Sequence, residues 1–250
     1  MIRVKKLGGI IAAATVALLG TVAISQTASA QEGGGLIQVA EVKVKTSHLQ
    51  EFMALQRELA EAGRKAGRTG RNVWQVMHGA TNTFHIVEPR ANFAAFDEGP
   101  NFALSGDAWT DWVSRIVPTI DTRTVWTLRE YPDLTIPTAD DYEESLIRLR
   151  IRNVKPGMNG AYEAWVRDDL LPELKEGGAM GVAWYRGVTG MSGDTWFSIT
   201  RHPNYADMDP PGPLEHMGEE AIARLLGKSA AMLTGDNQDL VVSYQADMSY

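Results

Sequence analysis

An internal repeat constrains this chain more than any other feature. Asn82–Asp97 (NTFHIVEPRANFAAFD) and Asp194–Asp209 (DTWFSITRHPNYADMD) align without a gap at an offset of 112 residues. Thr83/Thr195, Asn92/Asn204, Ala94/Ala206 and Asp97/Asp209 are identical, and Phe84/Trp196, Val87/Ile199, Phe93/Tyr205 and Phe96/Met208 keep their type. A unit used twice in one chain points to two structural repeats that cover each other's apolar surface.

The hydropathy pattern gives each unit the same element order. Leu36–Lys45 alternates apolar and polar residues as a half-buried strand does. Ser47 with Gln50 has capping-box spacing and predicts a helix to about Ala62 that buries Phe52, Leu55 and Leu59. Strands at Val73–His78 and Thr83–Glu88 flank a short turn, as in a hairpin. Asn92 is an N-cap for a short helix carrying Phe93 and Phe96. A helix near 107–117 aligns Trp109, Trp112 and Ile116, and Thr122–Glu130 is a fourth strand. Residues 132–145, with prolines and an acidic run, mark a linker. The order then recurs: strand Leu146–Arg152, a helix from Met158 to Lys175 interrupted at Pro172, strands Val182–Gly187 and Thr195–Arg201, helix Glu219–Leu233, strand Leu240–Gln245. Each half reads β-α-β-β-α-β, the ferredoxin-like order. The expected fold is α+β: two tandem ferredoxin-like repeats, 31–131 and 146–250, packed sheet to sheet as an intrachain α+β barrel.

Residues 1–30 read as an address. Arg3, Lys5 and Lys6 precede an apolar run, and Ala28-Ser29-Ala30 supplies small residues for cleavage after Ala30. Without a twin-arginine pair, the expectation is unfolded export to the periplasm or medium, with no stable membrane insertion after cleavage. The chain has 24 Lys and Arg against 31 Asp and Glu, and loss of the leader makes it more acidic. That balance excludes nucleic acid as a partner. With no cysteine, disulfides, thiolate catalysis and zinc–thiolate sites are excluded too. A glycine-rich phosphate loop, G-x-S-x-G and H-E-x-x-H do not occur.

The element order, with the Asn92–Asp97 turn after the third strand, resembles the dimeric α+β barrel superfamily, and within it NIPSNAP-like and antibiotic-biosynthesis-monooxygenase-like proteins. The resemblance implies two ferredoxin-like units packed sheet on sheet. It implies a range of activities: cofactor-independent monooxygenases, haem-binding proteins, isomerases and ligand-binding modules. No catalytic set of those families carries over residue by residue.

Candidate site residues come from face assignments. Ile147, Leu149 and Ile151 alternate with Arg148, Arg150 and Arg152. With the apolar row against the helices, the arginines turn into the barrel. They then hold a carboxylate- or phosphate-bearing ligand, pair internally with acids such as Glu41 or Glu88, or lie on a water-exposed sheet face. A turn at 80–82 sets His78 opposite Phe84 and Met77 opposite His85. His78, Trp74 and Phe84 then face the barrel, as do Trp184, Arg186 and Trp196 in the second half. His78 is the candidate acid/base or haem ligand, or else a structural histidine. His202 and His216 lack a ligand-spaced partner and read as loop residues. No metal site is predicted, and haem is the cofactor left open. The expected function is binding of a small, partly apolar anionic molecule between the sheets. The alternatives are a cofactor-independent monooxygenase-like or haem protein using His78, and a structural or interaction protein. A homodimer in which halves pair between chains is compatible with the linker.

Overall fold

The computed structural model describes residues 34–99, 102–139 and 145–250. The predicted leader, and residues 140–144 of the predicted linker, lie outside them. Eight antiparallel strands close a barrel in the order β1-β3-β2-β8-β5-β7-β6-β4. The first half supplies β1 (Leu36–Val44), β2 (Asn72–His78), β3 (Thr83–Arg90) and β4 (Ile120–Glu130), and the second β5 (Leu146–Asn153), β6 (Val182–Thr189), β7 (Thr195–His202) and β8 (Gln238–Tyr244). Two seams join the halves. At one, Trp74 pairs with Tyr244 and Val76 with Val242; at the other, Arg129 pairs with Arg186 and Glu130 with Tyr185. The pairing between halves is therefore made within one chain, and closure leaves no sheet edge bare.

Helices cover the outside. α1 (Leu49–Lys65) and α2 (Gly106–Ile116) lie on the first half. On the second lie α3 (Asn159–Ala164), a π-helical turn (Trp165–Leu170), α4 (Leu171–Glu176) and α5 (Glu219–Met232). The π turn sits immediately before Pro172, whose missing N–H would break a regular α ladder; widening the preceding turn accommodates it. Ser47 forms no capping box. A 3₁₀ turn at Thr46–His48 precedes α1 instead, with no side-chain cap. The repeated motif does cap: Asn92 Oδ1 accepts from Ala95 N and Asn204 Oδ1 from Asp207 N, both at 3.1 Å. Each closes a single 3₁₀ turn, Phe93–Phe96 and Tyr205–Met208.

Three apolar layers result. Val39, Trp74, Leu128, Ile147, Leu149, Ile151, Phe197 and Val242 fill the barrel. Phe52, Leu59, Val73, Phe84 and Trp112 pack the first half's sheet onto its helices, and Trp165, Val166, Trp184, Trp196 and Leu225 do so in the second. Residues after β4 do not form a loose linker. Tyr131 packs on Trp196, Leu134 is fully buried, and Ile136 exchanges backbone hydrogen bonds with Val182.

The face assignments reverse for most of the sequence-derived candidates. The hairpin register pairs Trp74 with His85 and Gln75 with Phe84, three residues from the predicted alignment, so β2 runs on past its ladder with β3 before the chain turns at 79–82. Trp74 and His85 thus face the interior, while Phe84 packs against Phe52 of α1 at 5.0 Å. On β5 the Ile147, Leu149, Ile151 row faces inward and the arginines face the helices. A closed eight-stranded barrel has a narrow interior that side chains fill, so it takes the aliphatic row and rejects the charged one.

Candidate active site under the helices of the second half

A cavity of about 510 Å³ lies between the outer face of the second half's sheet and its helices. Its floor is built by register. β5 contributes Arg148, Arg150 and Arg152; antiparallel β7 sets Thr200 opposite Arg148, Ser198 opposite Arg150 and Trp196 opposite Arg152. Its walls are Tyr162, Trp165, Leu170 and Leu174 from the α3–α4 segment, Leu226 and Leu233 from α5 and its C-terminal end, and Trp184 from β6. The Pro211–Leu214 loop lines it as well. That loop presses on the end of α4, where a Cβ at Gly177 would stand 1.6 Å from the Pro213 carbonyl oxygen.

The arginines are not equivalent. Asp239 on β8 accepts from Arg152 at 2.6 Å and from Arg148 at 3.3 Å. Burial works against the Asp239 charge, yet the Arg152 hydrogen bond and the neighbouring guanidiniums hold its carboxyl below the ordinary carboxylate range. Arg152 also donates to the Gln238 carbonyl at 2.9 Å. Arg150 has a single side-chain partner, the Thr200 hydroxyl at 3.0 Å, and no carboxylate bonded to it among the described residues. Desolvation, then the like charge of Arg148, pushes its pKa down to about 10. Burial pushes the Tyr162 phenol up.

His202 completes the floor. It follows Thr200 on the same face of β7, about 7 Å further along the strand. Its Nδ1 lies 2.7 Å from Asp207 Oδ2. Asp207 is the third residue of the turn capped by Asn204, so the repeated motif aims its carboxylate back at the strand end. Among the described residues, His202 Nε2 is buried and has no hydrogen-bond partner. Asp207 and Asp209 stand exposed at the rim of the same cavity.

Of the sequence-derived residues, Arg148, Arg150, Arg152 and Trp184 converge here. Trp196 is fully buried beside the cavity, its Nε1 donating to Asn159 Oδ1 at 2.8 Å. Arg186 lies over the Trp196 ring at 5.8 Å and donates to the Gly193 carbonyl, so it braces a wall without joining the floor. Trp74 is apart, inside the barrel. His78 is exposed at the end of β2, its ring 5.7 Å from that of Tyr205, and it lines neither this cavity nor the barrel interior. Glu41 and Glu88 do not pair with the arginine row: Glu41 takes His85 at 3.2 Å, and Glu88 takes Arg90 at 2.9 Å. His202, read from sequence as a loop residue, is the member that reading missed. The available signal was the H-x-N-x-x-D spacing, a strand-end histidine followed by a capped turn that returns a carboxylate to it.

Two further cavities have different chemistry. In the first half, the equivalent space of about 430 Å³ has Gln38, Ala40 and Val42 on β1 where β5 carries the arginines. The barrel interior keeps about 210 Å³, lined by Trp74, Trp126, Tyr185, Phe197 and His85. On the surface, ligand atoms of Glu173, Glu176 and His216 lie within 4.8 Å of one another. His216 has partners as well: Nε2 lies 3.2 Å from Glu173 while Nδ1 meets the Pro213 carbonyl, a polar clip between loop and helix.

No family model matches the chain, and no curated protein matches it in sequence. Solved structures do match in fold. A proposed monooxygenase from Fusobacterium nucleatum superposes with TM-score 0.59 at 12% identity, over 86% of this chain and 94% of its own. An anthrone oxidase-like protein gives 0.57 at 11%, over 86% and 92%. A chlorite dismutase variant from Candidatus Nitrospira defluvii gives 0.52 at 9%, over 85% and 92%. These likenesses are of fold, an α+β barrel.

Proposed function

We propose that this protein binds a small, partly apolar anionic molecule, and that the site is the cavity under the helices of the second half. The observation that carries the reading is Arg150: a desolvated guanidinium at the cavity floor, flanked by two like charges and bonded only to a hydroxyl. A desolvated cation is costly, and the nearby carboxylate, Asp239, is hydrogen-bonded to Arg148 and Arg152; a ligand carboxylate or phenolate would give Arg150 a charge-assisted partner of its own. The aromatic and aliphatic walls suit an apolar body, and the volume is in the range of small-molecule sites. The test is a titration with 1-naphthoate and its neutral isostere 1-naphthalenemethanol, followed by tryptophan fluorescence. The expected result is about ten- to hundredfold preference for the anion, the worth of a charged hydrogen bond. Equal affinities would contradict the reading.

A second reading, a haem protein, is favoured by one observation: a buried histidine nitrogen without a partner, on a ring whose other nitrogen is held by a carboxylate. His202, and not the exposed His78, would be the iron ligand, and the arginine row would take the propionates. When bound, haem supplies redox and oxygen chemistry. Adding haemin to the purified protein tests it: a Soret band that His202→Ala abolishes supports haem, and no band excludes it.

The proposal includes export, carried by the charge, apolar run and small residues of 1–30; N-terminal sequencing of secreted protein should begin at Gln31. It also includes origin of the two halves by duplication. Matched strand orders, matched asparagine caps and a gapless 112-residue offset support it.

A further inference from the structure

We propose that this site is a proton-transfer centre in which His202, oriented by Asp207, acts as base on an enolisable carboxylate ligand. The inference rests on the binding reading above and adds chemistry to it. A carboxylate can only accept, so at 2.7 Å from Asp207 the Nδ1 of His202 carries the hydrogen. In the neutral ring, Nε2 is then a lone pair, buried and unmatched by any donor among the described residues. A buried acceptor left open is destabilising, and nucleophile–base–orienter sets are recognised by this arrangement of roles. Arg150 stands opposite Ser198, two alternate positions from His202 on the same sheet face, and its guanidinium reaches back to Thr200, the alternate neighbour of His202; both side chains line the same cavity. Base and cation thus flank one space, the juxtaposition that proton abstraction beside a carbonyl requires.

The step balances without an added reactant. Nε2 takes a proton from the carbon next to the ligand's carbonyl, and the electron pair of that C–H bond becomes an enolate whose oxygen faces the guanidinium. The imidazolium, held by Asp207, returns the proton to the same or a conjugated carbon. The net result is hydrogen exchange or isomerisation. The substrate class is an aromatic or aliphatic keto acid: carboxylate for the arginines, apolar body for the walls, acidic C–H for His202.

Phenylpyruvate in D₂O is the probe, with loss of its methylene signal followed by NMR and binding followed by tryptophan fluorescence. The protein should accelerate exchange about a hundredfold over buffer, the usual scale of general base catalysis. His202→Asn should return the rate to that of buffer with affinity retained. Asp207→Asn should lower the rate at unchanged affinity. Binding without accelerated exchange, or His202→Asn exchanging like the parent, overturns this proposal alone. Absence of binding overturns the anion-site reading and this one with it.

Discussion

Arg150 concentrates the physical tension of the molecule in one residue. Its charge is held away from water, its one side-chain hydrogen bond goes to the Thr200 hydroxyl, and the nearby Asp239 is bonded to Arg148 and Arg152. Replacing such a cation by an apolar side chain of similar length removes the desolvation cost. Arg150→Met should therefore raise stability by about 1–3 kcal/mol, read by thermal melting, while abolishing the preference for 1-naphthoate. The same residue predicts a pH dependence. Its folded pKa, about 10, lies below the ordinary arginine value, so between the two the unfolded chain binds the extra proton. Stability contributed by Arg150 should rise as pH climbs through 10, and the difference between wild type and Arg150→Met should shrink there in chemical denaturation. His202 shows why residues of this kind escape a reading of sequence. Its partner Asp207 is five positions on, and only the backbone turn capped by Asn204 brings the two groups together. The first half has the same turn, yet Arg90 and Ala95 occupy those places, so the motif alone does not announce the pair.

At the scale of elements, strand and helix identities were legible because apolar periodicity reports them directly. Which face of a strand points where was not. β5 alternates three aliphatics with three arginines, and either row could have met the helices. The choice is made by the closed barrel interior, a property of eight strands together and of no single one. The β2–β3 register differs from expectation as well: the ladder ends at Gln75 and Phe84, three residues short of the end of β2, and register decides which side chains share a face. The capped turns allow a controlled test. Asn92→Ala and Asn204→Ala remove equivalent hydrogen bonds and should each cost about 1 kcal/mol, measured by denaturant unfolding. Only Asn204→Ala should also slow phenylpyruvate exchange, because only that turn positions Asp207.

Across the whole molecule, the two halves share a scaffold and differ in floor chemistry. Equivalent sheet positions carry Gln38, Ala40 and Val42 in one and Arg148, Arg150 and Arg152 in the other. The matched motifs were visible in the sequence, and the α+β barrel expected from the element order is the fold observed. The location of the cationic cavity, outside the barrel and not between the sheets, did not. Placement of the ligand site in that outer cavity is the central claim. It is tested most directly by measuring 1-naphthoate affinity in two variants, Arg150→Met at the outer cavity and His85→Leu in the barrel interior. The account predicts a loss of about tenfold or more in Arg150→Met and parental affinity in His85→Leu. Unchanged binding in Arg150→Met with loss in His85→Leu would place the ligand between the sheets and contradict it.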